Sequence, residues 1–477
     1  MDSLTAYRSP LTSSDDTICA LATAAGGAMA IIRISGQQSI TITDALFVSP
    51  AGHRLTDCHS HTVHYGTIHD ESGQTIDDVV VTLFRAPHSY TGEDTTEISC
   101  HGSRYIISLI LQQLINHGCR QARPGEFTQR AFLNGKLDLS QAEAVADLIA
   151  SSNATTHKIA MSQLRGNFSH QLSELRDRLL HLTTLLELEL DFSDHEDLEF
   201  ADRSELLQLA QATEQQIATL SHSFSTGKAL RQGIPVAIIG KTNVGKSTLL
   251  NRLLHDDKAI VSDIHGTTRD VIEDTINLGG VTFRFIDTAG IRDTQDAIEQ
   301  LGIERTYQKL DEAAIVLWLI DTPPTEEETE DILKRTEGKK LIAVVNKIDL
   351  HDGTALQPFF PLSSSGHNAV EDIPVVEISA KHNLHLDVLQ DAIFEAADIP
   401  SITQNDVIVT SLRHYEALTK AHEDILRVEE GLHTGLSGDL LSEDLRACID
   451  HLAEIVGGAI TPGETLENIF SHFCVGK

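Results

Sequence analysis

Gly240-Lys241-Thr242-Asn243-Val244-Gly245-Lys246-Ser247 follows the apolar run VAII and opens the stretch STLLNRLL. The pattern G-x-x-x-x-G-K-[ST] between a strand and a helix is a phosphate-binding loop. Its glycines let backbone N–H groups close around phosphate oxygens, and the helix N-terminus adds partial positive charge. Lys246 is placed to reach the β and γ oxygens, and Ser247 offers its hydroxyl to Mg²⁺. The bland alternative is a Gly-rich turn that binds nothing. The strand before the loop and the helix after it argue against that alternative.

Working outward, residues 235 to about 396 alternate apolar runs (VAIIG, FRFIDTAG, AAIVLWLID, LIAVVNKID, VVEISA) with helical stretches, a pattern that predicts a parallel, doubly wound sheet. Asn346-Lys347-Ile348-Asp349 follows one of these strands. A carboxylate only accepts hydrogen bonds, so Asp349 matches the N1–H and N2–H₂ donors of guanine and would stand unpaired against adenine. Ser379-Ala380-Lys381 follows at the next strand end, and Asp287-Thr288-Ala289-Gly290 completes the set. Asp287 is suited to the Mg²⁺ shell and Gly290 to the γ-phosphate. Thr267 and Thr268 lie between these motifs, where a switch threonine would reach the metal. Ile291 stands where a Ras-like enzyme has its water-orienting Gln, so hydrolysis must recruit another group. The candidates are Asn243, whose amide oxygen can help hold a monovalent cation, and Glu299, which can orient water; an ordinary exposed helix glutamate is the bland reading of the latter.

Ahead of this segment, 28–35 (AMAIIRIS) and 78–84 (DVVVTLF) read as strands, and 103–117 (SRYIISLILQQLINH) reads as a helix stopped by Gly118. From Ser140 the chain is Leu-, Ala- and Glu-rich, with Ser140 and Glu143 spaced as a capping box. The same helical character returns in SLRHYEALTKAHEDILRVEEGL and LSEDLRACIDHLAEIVGG. The helices on either side are therefore expected to form one bundle into which the central segment is inserted. At roughly 150 residues per domain, 477 residues allow about three domains. Thirty-six Lys and Arg against 70 Asp and Glu give a net charge of −34, so nucleic-acid contact must rest on a local basic patch or on a partner. Arg120, Arg123, Arg130 and Lys136, opposed only by Glu126, are the candidate patch. Six scattered cysteines, without a CxxC pair, indicate a reducing compartment. No apolar run is long enough to cross a membrane and no leader-like segment opens the chain, which predicts a cytoplasmic protein.

Ser89-Tyr90-Thr91-Gly92-Glu93-Asp94, the run RPGEFTQRAFLNGKLDL beginning at Arg123, DTAGIRDT followed by GIER, and Cys474-Val475-Gly476-Lys477 resemble the MnmE (TrmE) family of tRNA-modification GTPases. The resemblance implies an α+β domain at 1–134 that binds a tetrahydrofolate and dimerises. It further implies a discontinuous α-helical bundle domain, 135–228 and 399–477, holding an inserted Ras-like P-loop GTPase domain at 229–398. By the same resemblance the protein is a homodimer that works with an FAD- and NADH-using partner, MnmG (GidA), in a heterotetramer. Together they add an aminomethyl or carboxymethylaminomethyl group at C5 of the wobble uridine of certain tRNAs. The one-carbon unit comes from formyl- or methylene-tetrahydrofolate, and glycine or ammonium supplies the nitrogen.

Residue by residue, the resemblance puts folate contacts on Arg33, Glu93, Lys136 and Lys477. It puts K⁺ on Asn243, Ser262, Ile264 and Thr267, and Mg²⁺ on Ser247 and Thr268. Catalysis falls to Glu299 and Lys246, with Cys474 as a further chemical candidate whose bland reading is a pocket wall. The GTP-binding set then comprises Asn243 to Thr248 (with Val244 and Gly245), Ser262, Asp263, Ile264, His265, Gly266, Thr267 and Thr268. It also includes Asp287, Thr288, Ala289, Gly290, Asn346, Lys347, Asp349, Ser379, Ala380 and Lys381. K⁺ bridging phosphate oxygens would offset charge that develops in transfer. A GTP-gated RNA or ribosome assembly factor without covalent chemistry is the rival reading. The N-terminal motifs and the terminal CVGK weigh against it.

Overall fold

A computed structural model describes residues 16–24, 26–191, 203–256, 274–286, 310–350, 373–400, 402–403, 405–458, 466, 469–471, 473 and 476. These fall into two compact units. The first lies within Met1–Ile149, Gln163–Gln215 and Ala417–Lys477, and the second within Ala150–Ser162 and Gln216–Glu416.

In the first unit seven strands form one sheet: β1 (Thr17–Leu21), β2 (Met29–Ser35), β3 (Phe47–Val48), β4 (Thr62–His69), β5 (Thr75–Phe84), β6 (Thr95–His101) and β7 (Cys119–Gln121). Their order is β3-β4-β5-β6-β2-β1-β7, antiparallel except for the β1–β7 pair. Strand alternation sorts the side chains. Ile32 and Ile34 of β2, Val79, Val81 and Leu83 of β5 and Ile98 of β6 are buried on one face, under Ile107, Ile110 and Leu114 of the helix Arg104–Asn116. The opposite face receives Arg33, which is in register with Glu97 of β6 and is ion-paired to it at 2.8 Å. Gly118, at φ +105°, follows the helix, in the left-handed conformation that its stop requires.

The same unit holds helices from both sides of the central segment, including Asn167–Asp191 and Gly438–Val456. Leu172, Leu175, Leu179, Leu182 and Leu186 recur at alternating spacings of three and four, and all are buried. That is the stripe a helix needs to pack along a neighbour. Arg446 of the later helix pairs with Glu187 of the earlier one at 3.1 Å. The expected cap at Ser140 is corrected. The helix Leu139–Ala150 already includes Ser140, and the reciprocal bonds are Gln141 N–H to Asp138 Oδ1 and Asp138 N–H to Gln141 Oε1, both 2.9 Å. An aspartate followed three residues on by glutamine makes the same box two residues earlier, and Ser140 Oγ donates to the Asp138 carboxylate instead.

The second unit is built on β8 (Ile234–Ile239), β9 (Asp274–Leu278), β10 (Val281–Ile286), β11 (Ile315–Ile320), β12 (Lys340–Val345) and β13 (Val375–Glu377). The order is β13-β12-β11-β8-β10-β9, parallel except for the β9–β10 pair. Both faces are covered, as the continuous apolar runs require. Val236, Ile238, Phe283, Leu317, Leu319 and Val344 pack with Leu249 and Leu253 of the helix Lys246–Asp256 and with Leu389 and Ile393 of the helix Leu386–Ala396. Ala237, Ile239, Val316, Trp318 and Ile320 face the other way, where Ile332 of the helix Glu326–Arg335 meets them. The acidic run 326–331 is thus the first turns of a solvent-facing helix, capped by a Thr325–Glu328 box. The helix Arg203–Gln232 runs past residue 228, and the change to strand comes at Gly233, φ +82°.

Phe283 is fully buried in this core. Phe283→Ala should lower the unfolding free energy of the second unit by about 3–5 kcal/mol. The single tryptophan, Trp318, reports that transition by fluorescence in a urea titration; an unchanged midpoint would contradict the packing.

Candidate functional site

The phosphate loop leaves β8 at Gly240, where φ is +149° and a Cβ would lie 2.2 Å from Leu319 O, so only glycine fits. The loop then passes through Asn243 at φ +63° and Gly245 at φ +104°, with Val244 buried beneath it. Asn243 and Thr248 are exposed, and Ser247 is the second residue of the helix Lys246–Asp256. Lys246 Nζ donates to Gly240 O at 2.6 Å and Lys241 O at 2.9 Å. Burial pushes this ammonium below the ordinary lysine value. An anion at the loop would favour the charged form, and phosphate oxygens can take over the acceptor role of those two carbonyls.

Asn346 ties the loop to the segment beyond β13. Its Nδ2 donates to Val244 O at 2.8 Å and its Oδ1 accepts from Ala380 N–H at 3.0 Å, while the residue is 3% exposed. Ser379 Oγ donates to Asp349 Oδ1 at 2.5 Å. This bond, more than any other contact, holds the Asp349 carboxyl below its usual range. Asp349 therefore stands ionised as an acceptor with one oxygen, Oδ2, directed toward His382 at 3.5 Å. Lys347 pairs with Asp321, at the end of β11, at 2.7 Å. Arg252 donates to Lys381 O, holding the end of the Ser379–Lys381 segment through its backbone. The described part of the nucleotide set is thus gathered at the C-terminal ends of β8 and β12 and just beyond β13, with Asp321 at the end of β11 beside Lys347, where open α/β sheets bind ligands. Ser262, Asp263, Ile264, His265, Gly266, Thr267, Thr268, Asp287, Thr288, Ala289, Gly290 and Glu299 lie outside the described residues.

A second cluster occupies the outer face of the first unit's sheet. Arg33 lies with its guanidinium 5.4 Å from the Tyr90 ring centroid and 5.7 Å from that of Phe127. Its Nη1 approaches Gly476 O at 3.5 Å. Glu93 accepts from Ser35 Oγ at 2.7 Å and from Arg130 at 3.1 Å. Lys136 Nζ donates to Pro87 O, and its stem lies beside Gly92. Three of the four anticipated folate residues therefore meet around the 89–94 turn. Lys477 and Cys474 lie outside the described residues. Tyr90, Phe127, Arg130 and Gly476 join the cluster without having been singled out for it. All four sat inside motifs already quoted, and that was the signal available; Arg130 had been read as part of a basic patch instead.

The expected basic patch is not one. Arg130 is 8% exposed and bonds Asp16, Glu93 and Glu126, while Arg120 pairs with Asp16 and Glu126. Glu126 is 2% exposed; burial would raise its pKa, but Arg120, the Arg123 N–H and Arg130 together hold it below the usual carboxylate range. Asp16 and Glu93 come from distant parts of the chain, so local counting missed the neutralisation.

Comparison with known proteins covers nearly the whole chain. The family described as "MnmE helical domain" matches residues 139–474, and that described as "GTP-binding protein TrmE N-terminus" matches 17–136. A "tRNA modification GTPase MnmE" of Bacteroides fragilis strain YCH46 is 57% identical over 97% of this chain and all of the relative. One of Phocaeicola vulgatus is 55% identical over 97% of this chain and 99% of the relative. Among solved structures, the FeoB G-domain from Methanococcus jannaschii matches 35% of this chain and 98% of its own, at 23% identity and a TM-score of 0.24.

Asp349→Asn should weaken GTP by about 100-fold and favour xanthosine triphosphate in its place. Competition binding of the two nucleotides checks this, and an unchanged preference for GTP would remove Asp349 from base recognition. Glu126→Gln should cost about 1–3 kcal/mol near neutral pH by weakening the charge-assisted bonds to Arg120 and Arg130, which keep Asp16 and Glu93 as their remaining acidic partners. A depressed folded-state pKa stabilises above the ordinary carboxylate range and loses that contribution as pH falls through the folded value. The gap from wild type should therefore close in acid, read by hydrogen exchange at the amides of β1 and β7.

Proposed function

The chain belongs to the MnmE family of tRNA modification GTPases, and from that premise we propose that it hydrolyses GTP to drive modification of a tRNA wobble uridine. The observation that carries the nucleotide half of this reading is the Asn346 amide, bonded at once to the phosphate loop and to the segment beside Asp349. That clamp presents phosphate donors and a guanine acceptor as one preformed surface. Mg²⁺ would rest on Ser247 and Thr268, supplying charge neutralisation at the β and γ oxygens. Lys246 and the loop N–H groups bind the same oxygens.

K⁺ is the further ion in this reading, held by Asn243 with Ser262, Ile264 and Thr267. The exposure and left-handed backbone of Asn243 support it, since they leave the amide at the loop's outer edge. Glu299 then orients the attacking water, the role left open by Ile291. If two G domains of a homodimer complete the cation site, hydrolysis is coupled to their meeting.

The chemistry on uridine belongs in this reading to the outer-face cluster. Its donor set suits a tetrahydrofolate: Arg33 and Lys136 for carboxylates, Glu93 for the donor-rich pterin edge, and Tyr90 for an aromatic face. When bound, the folate supplies the one-carbon unit; Arg33 is held in place by Glu97, and Glu93 by Ser35 and Arg130. An FAD-containing MnmG partner supplies redox chemistry, and glycine or ammonium the nitrogen. The burial of Arg130 and the pairing of Arg120 support assigning much of the tRNA grip to that partner.

Steady-state GTP hydrolysis in KCl and in NaCl at equal ionic strength tests the ion. A K⁺-specific rise in kcat of about tenfold or more, abolished in Asn243→Ala, is expected. Equal rates in the two salts would remove K⁺ and leave an intrinsic or partner-supplied catalytic group.

A further inference from the structure

Between β3 and β4, at the edge of the first unit's sheet, the sequence HRLTDCHSHTVH (53–64) crowds ligand-bearing side chains into a short span. The fold selects three of them. One ligand atom each from His53, Cys58 and His64 lies within 4.8 Å of the others, the only such group among the described residues. His53 Nε2 and His64 Nδ1 are 3.0 Å apart, and Cys58 Sγ is 4.0 Å from His64 Nδ1. We propose that His53, Cys58 and His64 form a Zn²⁺ site that clamps the β3–β4 connection onto β4, with the fourth coordination position open to solvent.

The distances suit the ion. Tetrahedral zinc with nitrogen at roughly 2.0–2.1 Å and sulfur at roughly 2.3 Å spaces two nitrogens and a sulfur about 3.3–3.6 Å apart. Small side-chain rotations reach that spacing from the present one. Two imidazoles and a thiolate favour zinc over Mg²⁺ or Ca²⁺, which take oxygen ligands.

The hydrogen bonds around the rings are those a metal needs. Thr62 has one hydroxyl proton, which it donates to His59 O at 2.6 Å, so it must accept from His64 Nε2–H at 2.8 Å. This fixes the tautomer and leaves the Nδ1 lone pair of His64 facing the cluster. Without metal, His53 Nε2–H donates to that lone pair. With metal, the His53 proton sits on Nδ1, 3.1 Å from Ser49 Oγ, which is able to accept it. Cys58 gives its proton to solvent as the zinc–sulfur bond forms, releasing its present bond to Arg54 O.

The turn that carries Cys58 is built independently of any ion. Leu55 is fully buried, its N–H bonds Asp44, and the Arg85 guanidinium holds both Thr56 O and Cys58 O. His53 is exposed and provides the entry path, while Cys58 and His64 are half-buried. The four other cysteines in the described residues are all buried.

The test uses the full chain stripped with chelator. One equivalent of Zn²⁺ should slow iodoacetamide alkylation of Cys58 by about tenfold or more, read by peptide mass mapping, while Mg²⁺ leaves it unchanged; an unchanged rate with Zn²⁺ overturns the site. Co²⁺ should give a thiolate-to-cobalt charge-transfer band with the wild type that is absent in Cys58→Ser. A band surviving Cys58→Ser overturns the assignment. His53→Ala, at an exposed position, should weaken Co²⁺ by about tenfold or more, which keeps the proposal testable if the cysteine variant does not fold.

Discussion

The side-chain amide of Asn346 is the constraint on which the nucleotide site depends. A buried amide must satisfy both its donor and its acceptor, and here the partners are Val244 O of the phosphate loop and Ala380 N–H beyond β13. Those two bonds hold elements far apart in sequence at one height above the sheet. Gly245 is part of the same arrangement, because a Cβ there would come within 2.4 Å of Asn346 Nδ2. The glycine of the phosphate motif and the asparagine of the NKID motif thus fit each other. Aspartate in place of Asn346 would keep the acceptor and lose the donor, leaving Val244 O unpaired in the interior.

Much of the second unit was legible from the sequence because its signals are local. VAIIG, IVLWLI and LIAVV are apolar on both faces, which only a covered parallel strand tolerates, and the loop motifs sit at their ends. The described part of the nucleotide set follows directly from that placement. What the sequence did not yield is how the motifs bond to one another. Nothing in NKID announces that its asparagine spans from Val244 to Ala380, or that Ser379 Oγ answers Asp349.

The N-terminal sheet was harder to read for a different reason. Its strands could be recognised, but the electrostatics of its outer face are set by register and by long-range pairs. Arg120, Arg123 and Arg130 look like an open cationic run when counted along the chain. Asp16 and Glu93 neutralise Arg120 and Arg130 from outside that run, and Arg130 is buried in doing so. The helix start at Asp138 shows the same limit at short range: two overlapping capping boxes were available in DLSQAE, and the bonding picked the aspartate.

Arg33 and the carbonyl of Gly476 that it approaches are separated by 443 positions. Phe470 and Phe473 likewise pack against Gly125, and Gly476 has room for no side chain against Leu21. A ribosome must therefore read through the entire helical and nucleotide-binding portion before the outer face of the first sheet has its last wall. A chain stalled within the second unit would hold every strand of that sheet but lack the C-terminal residues that close against Arg33, Gly125 and Leu21.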